Sequence, residues 1–187
     1  MSFDSEFVTI LTLIKTKEKR KMNNKKALKL TQAALVGAMY FVLTWIANAC
    51  GLASGAVQLR LSEALCVLPY FMPAAIPGLF VGCLITNLSM GSVIWDTLFG
   101  SLATLIGAFV ASKIKNKWLV PLPTVLSNTV VVPIVILLCY TPGVKSLGVY
   151  ATITAGVFAG EALSAYLLGM VLLLALDKHK GLFTKNR

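Results

Sequence analysis

Charged residues are scarce in this sequence. They make up 13% of its 187 residues, and hydrophobic residues make up 57%. Soluble domains carry about 25% charged residues, so an ordinary soluble domain is excluded. The long uncharged stretches between the charges are typical of membrane-spanning helices, each of which needs about 20 apolar residues. A chain of this length suits about six such segments and a single compact bundle.

The residues of common catalytic and metal sites are also scarce. The only histidine, His179, lies near the carboxyl end, so no Ser-His pair can form within the apolar blocks. Cys50, Cys66, Cys83 and Cys139 are scattered without a CxxC pair, which indicates neither a zinc site nor a disulfide framework. No GxxxxGK[ST] phosphate loop occurs, so the chain is not expected to hydrolyse ATP itself. We therefore expect neither an enzyme nor a protein that holds a cofactor or metal.

The basic residues are unevenly placed. The net charge is +10, and 15 of the 17 Lys and Arg residues fall in three short segments, 15–29, 113–117 and 178–187. Each segment flanks an apolar block, which is how membrane proteins encode orientation, with the positive side in the cytoplasm. This arrangement argues against nucleic-acid binding, and it predicts that both termini are cytoplasmic.

The same charge pattern divides the chain. We predict a basic cytoplasmic tail over residues 1–26, a single membrane domain over 27–178 and a second basic tail over 179–187. The segment before Met22 is interpreted either as preceding the true start, at Met22, or as a disordered tail.

The apolar blocks predict an all-α membrane protein, a bundle of six transmembrane helices. Residues 64–88 carry no charge, but Pro69, Pro73 and Pro77 interrupt them and favour two segments over one. Two segments also place the lysines of 113–117 in the cytoplasm, whereas one segment would place them outside. The second segment is too short to cross a bilayer, so it needs shielding by protein, an extension into the preceding loop or a re-entrant path. The predicted segments are 30–49, 61–70, 74–88, 92–114, 119–139 and 150–176.

Small residues recur at helical spacing in the first segment. Ala33 and Gly37 form one pair and Ala34 and Ala38 another, each four residues apart and therefore on one helix face. Small residues let a second helix approach closely. The partner is either a neighbouring helix of the same chain or another subunit.

A few polar residues interrupt the membrane block. Glu63, Asp96 and Glu161 are acidic, and Arg60 is the basic residue set against them. Such charges are costly in a bilayer and usually functional. Their negative excess indicates a site for a cation or for several hydrogen-bond donors, or a carboxyl group that stays protonated. The candidate substrate-binding residues are Glu161, Asn128, Asp96, Trp95, Arg60, Glu63, Asn87 and Ser164.

Structural roles are open alternatives for these residues. Glu161 would bridge helices through Asn128 or Ser164. Asp96 would be a helix amino-terminal charge favoured by the dipole. Arg60 and Glu63 would form an i,i+3 ion pair that orders the loop. Trp95 would be either a residue of the membrane interface or a plate on which a ring stacks.

Three segments carry a resemblance to a known family. They read VQLRLSEAL at 57–65, PAAIPGLFVGC at 73–83 and IWDTLFGSLAT at 94–104, behind the basic tail and the small-residue helix. Over about residues 27–178 the chain resembles the QueT family, the substrate-binding S components of energy-coupling factor (ECF) transporters associated with queuosine precursors.

The resemblance implies a six-helix S component of a bacterial plasma membrane. Such a component captures a deazaguanine-type base or nucleoside from outside, and a membrane coupling subunit with two ATPase subunits drives its release. The resemblance also implies that the loop at 48–59 covers the site. The residues that would meet the coupling subunit are Ala33, Ala34, Gly37 and Ala38.

The acidic residues suit this class of ligand on chemical grounds. A deazaguanine ring presents adjacent N–H and amino donors, which one carboxylate can accept. An aminomethyl substituent would add a cation for a second carboxylate. The alternatives are an S component for another vitamin or purine-like solute, a stand-alone ion-coupled carrier with Glu161 as proton relay, and a purely structural membrane subunit.

Overall fold

A computed structural model describes residues 3–52, 59–141, 143 and 146–178, with side chains from Met22 onward, and these residues form only helices and their connections. A single 3₁₀ turn, Lys117–Leu119, precedes the fourth α-helix. The main elements are α1 (Phe3–Ala49), a ten-residue 3₁₀ helix (Leu61–Tyr70), α2 (Ala75–Ser89), α3 (Ile94–Ala111), α4 (Leu122–Cys139) and α5 (Leu147–Asp177).

The helices fall at the predicted segments. Some are long enough to cross a membrane and others are shorter. By length and composition, four are able to cross a membrane: α1 from Met22, α3, α4 with its preceding turn, and α5. The 3₁₀ helix and α2 are shorter apolar helices. The all-α class suited to a membrane is therefore confirmed, while the number of crossings and the side of each terminus stay predictions.

Helix α1 begins much earlier than predicted. It is helical from Phe3, whereas the membrane segment was expected from residue 30 and a disordered tail was one interpretation of the start. The reason is local, because Lys, Arg, Leu and Glu are good helix formers and neither Gly nor Pro occurs before Gly37. The basic segment 15–29 therefore lies on helical backbone.

The 3₁₀ helix lies inside the bundle. At about 2 Å per residue it extends about 20 Å, too little to cross a bilayer. It packs against α1, α3 and α5, and Ser62, Glu63 and Cys66 on it are fully buried. Shielding by protein, one of the three predicted possibilities, is thus what the structure provides.

Helices α1 and α2 meet backbone to backbone. A Cβ on Gly82 would lie 2.9 Å from the Gly37 Cα, and a Cβ on Gly78 would overlap the Ala33 carbonyl oxygen. No side chain larger than hydrogen fits at these crossing points, which is why small residues stand there. The same holds between α3 and α4, where a Cβ on Gly107 would lie 2.8 Å from the Thr124 Cα.

Helix α5 is interrupted in the middle. It is α-helical over Leu147–Glu161, π-helical over Ala162–Leu168 and α-helical again over Gly169–Asp177. Nothing in the sequence analysis predicted this wide turn. Because π-helical turns are frequent at functional sites, its position directly after Glu161 draws attention to that residue.

Polar contacts mark the two ends of the bundle. At one end, here called the basic end, Lys117 Nζ forms an ion pair with Asp177 Oδ2 at 3.4 Å. At the opposite end the Trp45 indole donates to Ser89 Oγ at 3.3 Å, and Tyr140 donates to Asp96 at 2.9 Å. The lysines of 113–117 therefore lie beside the end of α5. The predicted lid at 48–59 lies largely outside the described residues, as do Lys145 and the tail from 179.

Candidate functional site

A group of polar side chains lies buried between the helices. Six of the eight candidate residues belong to it, and three residues that were not predicted join them. Burying polar groups in an apolar interior is costly unless they are paired, so the pairing of each one is informative. The polar cluster consists of Tyr40, Arg60, Glu63, Cys66, Cys83, Asn87, Asn128, Glu161 and Ser164.

Glu63 is a fully satisfied member of the polar cluster. The Tyr40 hydroxyl donates to Glu63 Oε1 at 2.5 Å, and the Cys66 thiol donates to Glu63 Oε2 at 3.1 Å. One turn further along α1, the Thr44 hydroxyl donates to Ser62 Oγ at 2.7 Å. These bonds fasten the 3₁₀ helix to α1. Tyr40 was missed, although its position three residues after Gly37 puts it on the predicted close-packing face.

Arg60 bonds to a residue of α2 and not to Glu63. Its Nη2 donates to Asn87 Oδ1 on α2 at 2.9 Å and lies 3.9 Å from Cys83 Sγ. The ion pair with Glu63 proposed as an alternative is not formed in the described part of the chain. The reason is backbone geometry, because Arg60 precedes the 3₁₀ helix with φ −102° and ψ 88°, so it shares no helical face with Glu63.

Glu161 is the unsatisfied carboxyl group of the polar cluster. It is 5% exposed, and its Oε2 has no hydrogen-bond partner among the described residues. Arg60, Glu63 and Asn128 are close enough to act on it electrostatically. The carboxyl group is therefore held in place by packing and by the surrounding charges, and one of its oxygens is available.

Two neighbours of Glu161 also carry a buried polar atom that lacks a hydrogen-bond partner. Asn128 Nδ2 and Ser164 Oγ are buried and, within the described residues, unpaired. No hydrogen bond of ordinary geometry to a described residue is made by these two atoms, but Asn128 is close enough to the Glu161 carboxyl group to act on it as a hydrogen-bond donor, so bridging of helices through Asn128 stays an alternative. Leaving a buried polar group unpaired costs about 1 to 3 kcal/mol, so three together are unusual. An acceptor, an amide donor and a hydroxyl group side by side offer a small polar molecule complementary partners.

Asp96 lies in the first turn of α3, at the end of the bundle away from Lys117 and Asp177. Its Oδ2 accepts from the Tyr140 hydroxyl, and that hydroxyl accepts from the Val93 amide at 3.2 Å. Partial burial, more than the contact with Asp96, raises the pKa of Tyr140, so the phenol keeps its proton and remains a donor. The position also suits the helix dipole, so the structural alternative for Asp96 is geometrically sound.

Trp95 is separate from the polar cluster. Its side chain is 56% exposed and stacks on Phe99, with ring centroids 6.2 Å apart. The structure therefore places it on the outer surface of α3, as an interfacial residue would be. Its predicted role as a stacking plate has no support from this geometry.

A glycine separates Asp96 from the polar cluster. A Cβ on Gly100 would lie 3.5 Å from Asn87 Nδ2 and 3.9 Å from Asp96 Oδ1. Asp96 is therefore one helical turn from the Arg60–Asn87 pair, and no side chain fills the position between them.

A second feature is an apolar groove between α1 and α2, about 650 Å³ in volume. Ala33 and Gly37 are partly buried against α2, whereas Ala34 and Ala38 are exposed. Contact with α2 thus explains why residues 33 and 37 are small. It does not explain why residues 34 and 38 are small. The groove is lined by Leu30, Ala33, Ala34, Gly37, Ala38, Phe41, Val42, Pro77, Gly78, Val81, Gly82 and Ile85.

Comparison with known proteins gives a family match over most of the chain. A family model described as QueT transporter matches residues 30–178. A relative from Lactococcus lactis subsp. cremoris (strain MG1363), named queuosine precursor transporter QueT, is 31% identical over 86 residues. That match covers 46% of this chain and 50% of the relative. No solved structure matches the chain. The family range contains every residue of the polar cluster and of the groove.

Proposed function

The chain belongs to the QueT transporter family, and on that basis we propose that it binds a queuosine precursor in the cell membrane for uptake, as the S component of an ECF transporter. The name of the Lactococcus relative supports the substrate class. The observation that carries the proposal is the unpaired set of Glu161 Oε2, Asn128 Nδ2 and Ser164 Oγ inside the bundle.

The chemistry of these three groups suits a deazaguanine ring. The Glu161 carboxylate accepts the ring N–H and the neighbouring amino group, a pairing that carboxylates make with amino groups on base edges. The Asn128 amide donates to the adjacent ring carbonyl, and the Ser164 hydroxyl serves as donor or acceptor. Binding in this way would satisfy all three atoms at once.

The groove supplies a place for the coupling subunit. In the ECF transporters that the chain resembles, the small-residue face of the first helix meets that subunit. Here Ala34 and Ala38 are exposed beside an apolar groove, and a large apolar groove of this kind often marks an interaction site. With two ATPase subunits attached to the coupling subunit, ATP hydrolysis drives release. The basic end of the bundle then faces the cytoplasm, and the end with Asp96 and Tyr140 faces outward.

A thermal-shift measurement on the purified protein tests the substrate. At a ligand concentration 100 times Kd, binding adds about 2.7 kcal/mol to the free energy of unfolding, enough for a clear rise in melting temperature. We expect deazaguanine bases or their nucleosides to give that rise and unrelated vitamins to give none. A rise with a vitamin alone would point to an S component for another solute.

Uptake in cells separates the proposed mechanism from an ion-coupled carrier. We expect uptake of the labelled precursor to persist when a protonophore is added and ATP is maintained. Collapse of uptake under those conditions would assign Glu161 to a proton relay instead.

A further inference from the structure

The wide turn of α5, Ala162–Leu168, interrupts a regular pattern of burial. Before and after it, buried residues recur every four positions, from Gly160 to Ser164 and from Gly169 to Leu173. Across the turn the interval is five, and three successive residues within it are exposed. A helix that is one residue shorter would therefore present the same face to the bundle.

Both halves of α5 are held by contacts of their own. The half after the turn packs on the 3₁₀ helix, where a Cβ on Gly169 would lie 3.1 Å from Val67 Cγ1. The half before the turn packs against α4. The extra residue is thus not required to bring either half into contact. Because π-helical turns are rare and occur frequently at functional sites, we looked for its effect on the polar cluster.

Serine hydroxyls show what the turn changes. On α2, α3 and α4, the hydroxyls of Ser89, Ser101 and Ser127 each donate to a backbone carbonyl three or four residues earlier, at 2.8, 2.6 and 3.1 Å. Such bonds to the preceding turn are a common pattern for serine within a helix. Ser164, which lies in the wide turn, is fully buried, yet its Oγ has no partner among the described residues.

The backbone geometry of the turn accounts for this difference. In an α-helix, residues four apart lie one above the other, so a serine hydroxyl can reach the carbonyl four residues earlier, here that of Gly160. A π-helical turn closes its hydrogen bonds over five residues, so it contains more residues and this alignment is lost. The same widening separates Ser164 from Glu161, which would be its i,i+3 neighbour in an α-helix. The hydroxyl therefore stays unpaired inside the bundle.

We propose that the wide turn is a positioning element for the ligand, because it keeps the Ser164 hydroxyl off the helix backbone and available beside Glu161. A regular α-helix would let Ser164 pair within α5, and the site would lose one of its three open polar groups. The extra residue acts through Ser164 and does not itself touch the ligand. This positioning role rests on the proposed function, which supplies the ligand.

Deletion of Leu167 removes the extra residue. The side chain of Leu167 is 57% exposed, so its loss leaves the core intact. We expect both halves of α5 to keep their places and the melting temperature of the empty protein to stay the same or rise, because a buried hydroxyl becomes paired. Deletion of Ile106 is the matched control. Ile106 is 54% exposed on α3, which is α-helical throughout, so its loss rotates the rest of that helix by about 100° and should lower the melting temperature strongly or prevent folding.

Ser164→Ala in two backgrounds measures whether the hydroxyl is free. In the parent it should weaken binding of an aminomethyl-deazaguanine base about 2- to 10-fold, the effect of one neutral hydrogen bond, without lowering the melting temperature of the empty protein. The protein without Leu167 should already show a similar loss of affinity, and there Ser164→Ala should change the affinity less than about twofold. In that background the substitution should instead lower the melting temperature by about 2 to 4 °C, because the hydroxyl is paired.

Calorimetric titration and thermal melts of the four proteins decide the matter. If loss of Leu167 lowers the melting temperature as much as loss of Ile106, the bundle itself needs the extra residue and the positioning role is wrong. It is also wrong if loss of Leu167 leaves the affinity unchanged, or if Ser164→Ala has the same effects in both backgrounds. In each of these cases the base still binds the parent and the proposed function stands. If the base does not bind the parent, the proposed function is wrong and no ligand is positioned.

Discussion

Glu63 and Glu161 belong to the same polar cluster but differ in how their oxygens are paired. Both Glu63 oxygens accept hydrogen bonds, from Tyr40 and Cys66, whereas Glu161 Oε2 accepts none from the described residues. A mid-membrane carboxyl group costs about 2.5 to 3.5 kcal/mol on insertion scales, so each needs a reason to persist. For Glu63 that reason is the attachment of the 3₁₀ helix to α1. For Glu161, the proposed reason is ligand binding.

Exchanging each carboxyl group for an amide separates these two roles. Glu161→Gln places an amide donor opposite the ring donors, and we expect affinity for the deazaguanine base to fall by about 1 to 3 kcal/mol, or roughly 5- to 150-fold. The melting temperature of the empty protein should stay the same or rise, because an unpaired buried carboxyl group is removed. Calorimetric titration and a thermal melt of the same sample measure both quantities.

Glu63→Gln is the matched control for that exchange. It sets an amide donor against the donors of Tyr40 or Cys66, so it should lower the free energy of unfolding by about 1 to 3 kcal/mol. If Glu161→Gln and Glu161→Ala both bind like the parent, the Glu161 carboxyl group is structural and its assignment to the ligand fails.

At the scale of single helices, α1 carries two faces made of small residues. Ala33 and Gly37 pack against the glycines of α2, and Ala34 and Ala38 border the open groove. Residues one position apart on a helix point about 100° from each other, so the first pair faces α2 more directly than the second pair does, although all four line the groove. The first pair holds the bundle together, and the second is available to another subunit.

Bulky substitutions in the groove should affect assembly and spare ligand binding. Ala34→Leu or Ala38→Leu would hold a partner helix away from α1 without touching the polar cluster, so co-purification with the coupling subunit should drop while the isolated protein binds its ligand normally. Ala155→Leu is the control, because Ala155 is an exposed alanine on α5 that does not line the groove. Equal loss of assembly and ligand binding would indicate a misfolded bundle instead.

At the scale of the whole molecule, the distribution of charge and the polar contacts both distinguish one end of the bundle from the other. The ion pair of Lys117 and Asp177 ties the lysines of 113–117 to the end of α5, just before the basic carboxyl tail. By the positive-inside rule we expect this end to face the cytoplasm. The opposite end, with Asp96 and Tyr140, would then face outside, the side from which an importer takes its substrate.

Cysteine labelling in intact cells tests this orientation. Cys50 is exposed beyond the end of α1 and should react with a membrane-impermeant maleimide from outside. In a variant whose native cysteines are replaced, Asn116→Cys, at the basic end, should react only after the cells are permeabilised. Labelling of position 116 in intact cells would contradict the orientation.

Much of this architecture was already decided by local properties of the chain. The length of the apolar runs, the prolines between 69 and 77 and the clusters of lysine predict helices whose ends fall within a few residues of the observed ones, except for the start of α1. These features act through solvation and backbone geometry, which depend on nearby residues alone. The candidate site was also found this way, because a charge in an apolar run is costly wherever the run packs.

The partners of those charges were decided only by the packing of the helices. Arg60 was paired with Glu63 by sequence spacing, yet it reaches Asn87, and Glu63 is bound by Tyr40, 23 residues away. The wide turn after Glu161 was equally unpredictable, and sequence alone left two interpretations of Trp95 open. A hydrogen bond or a gap forms where two helices happen to meet, and their relative rotation and depth result from the contacts of the whole bundle rather than from any one segment.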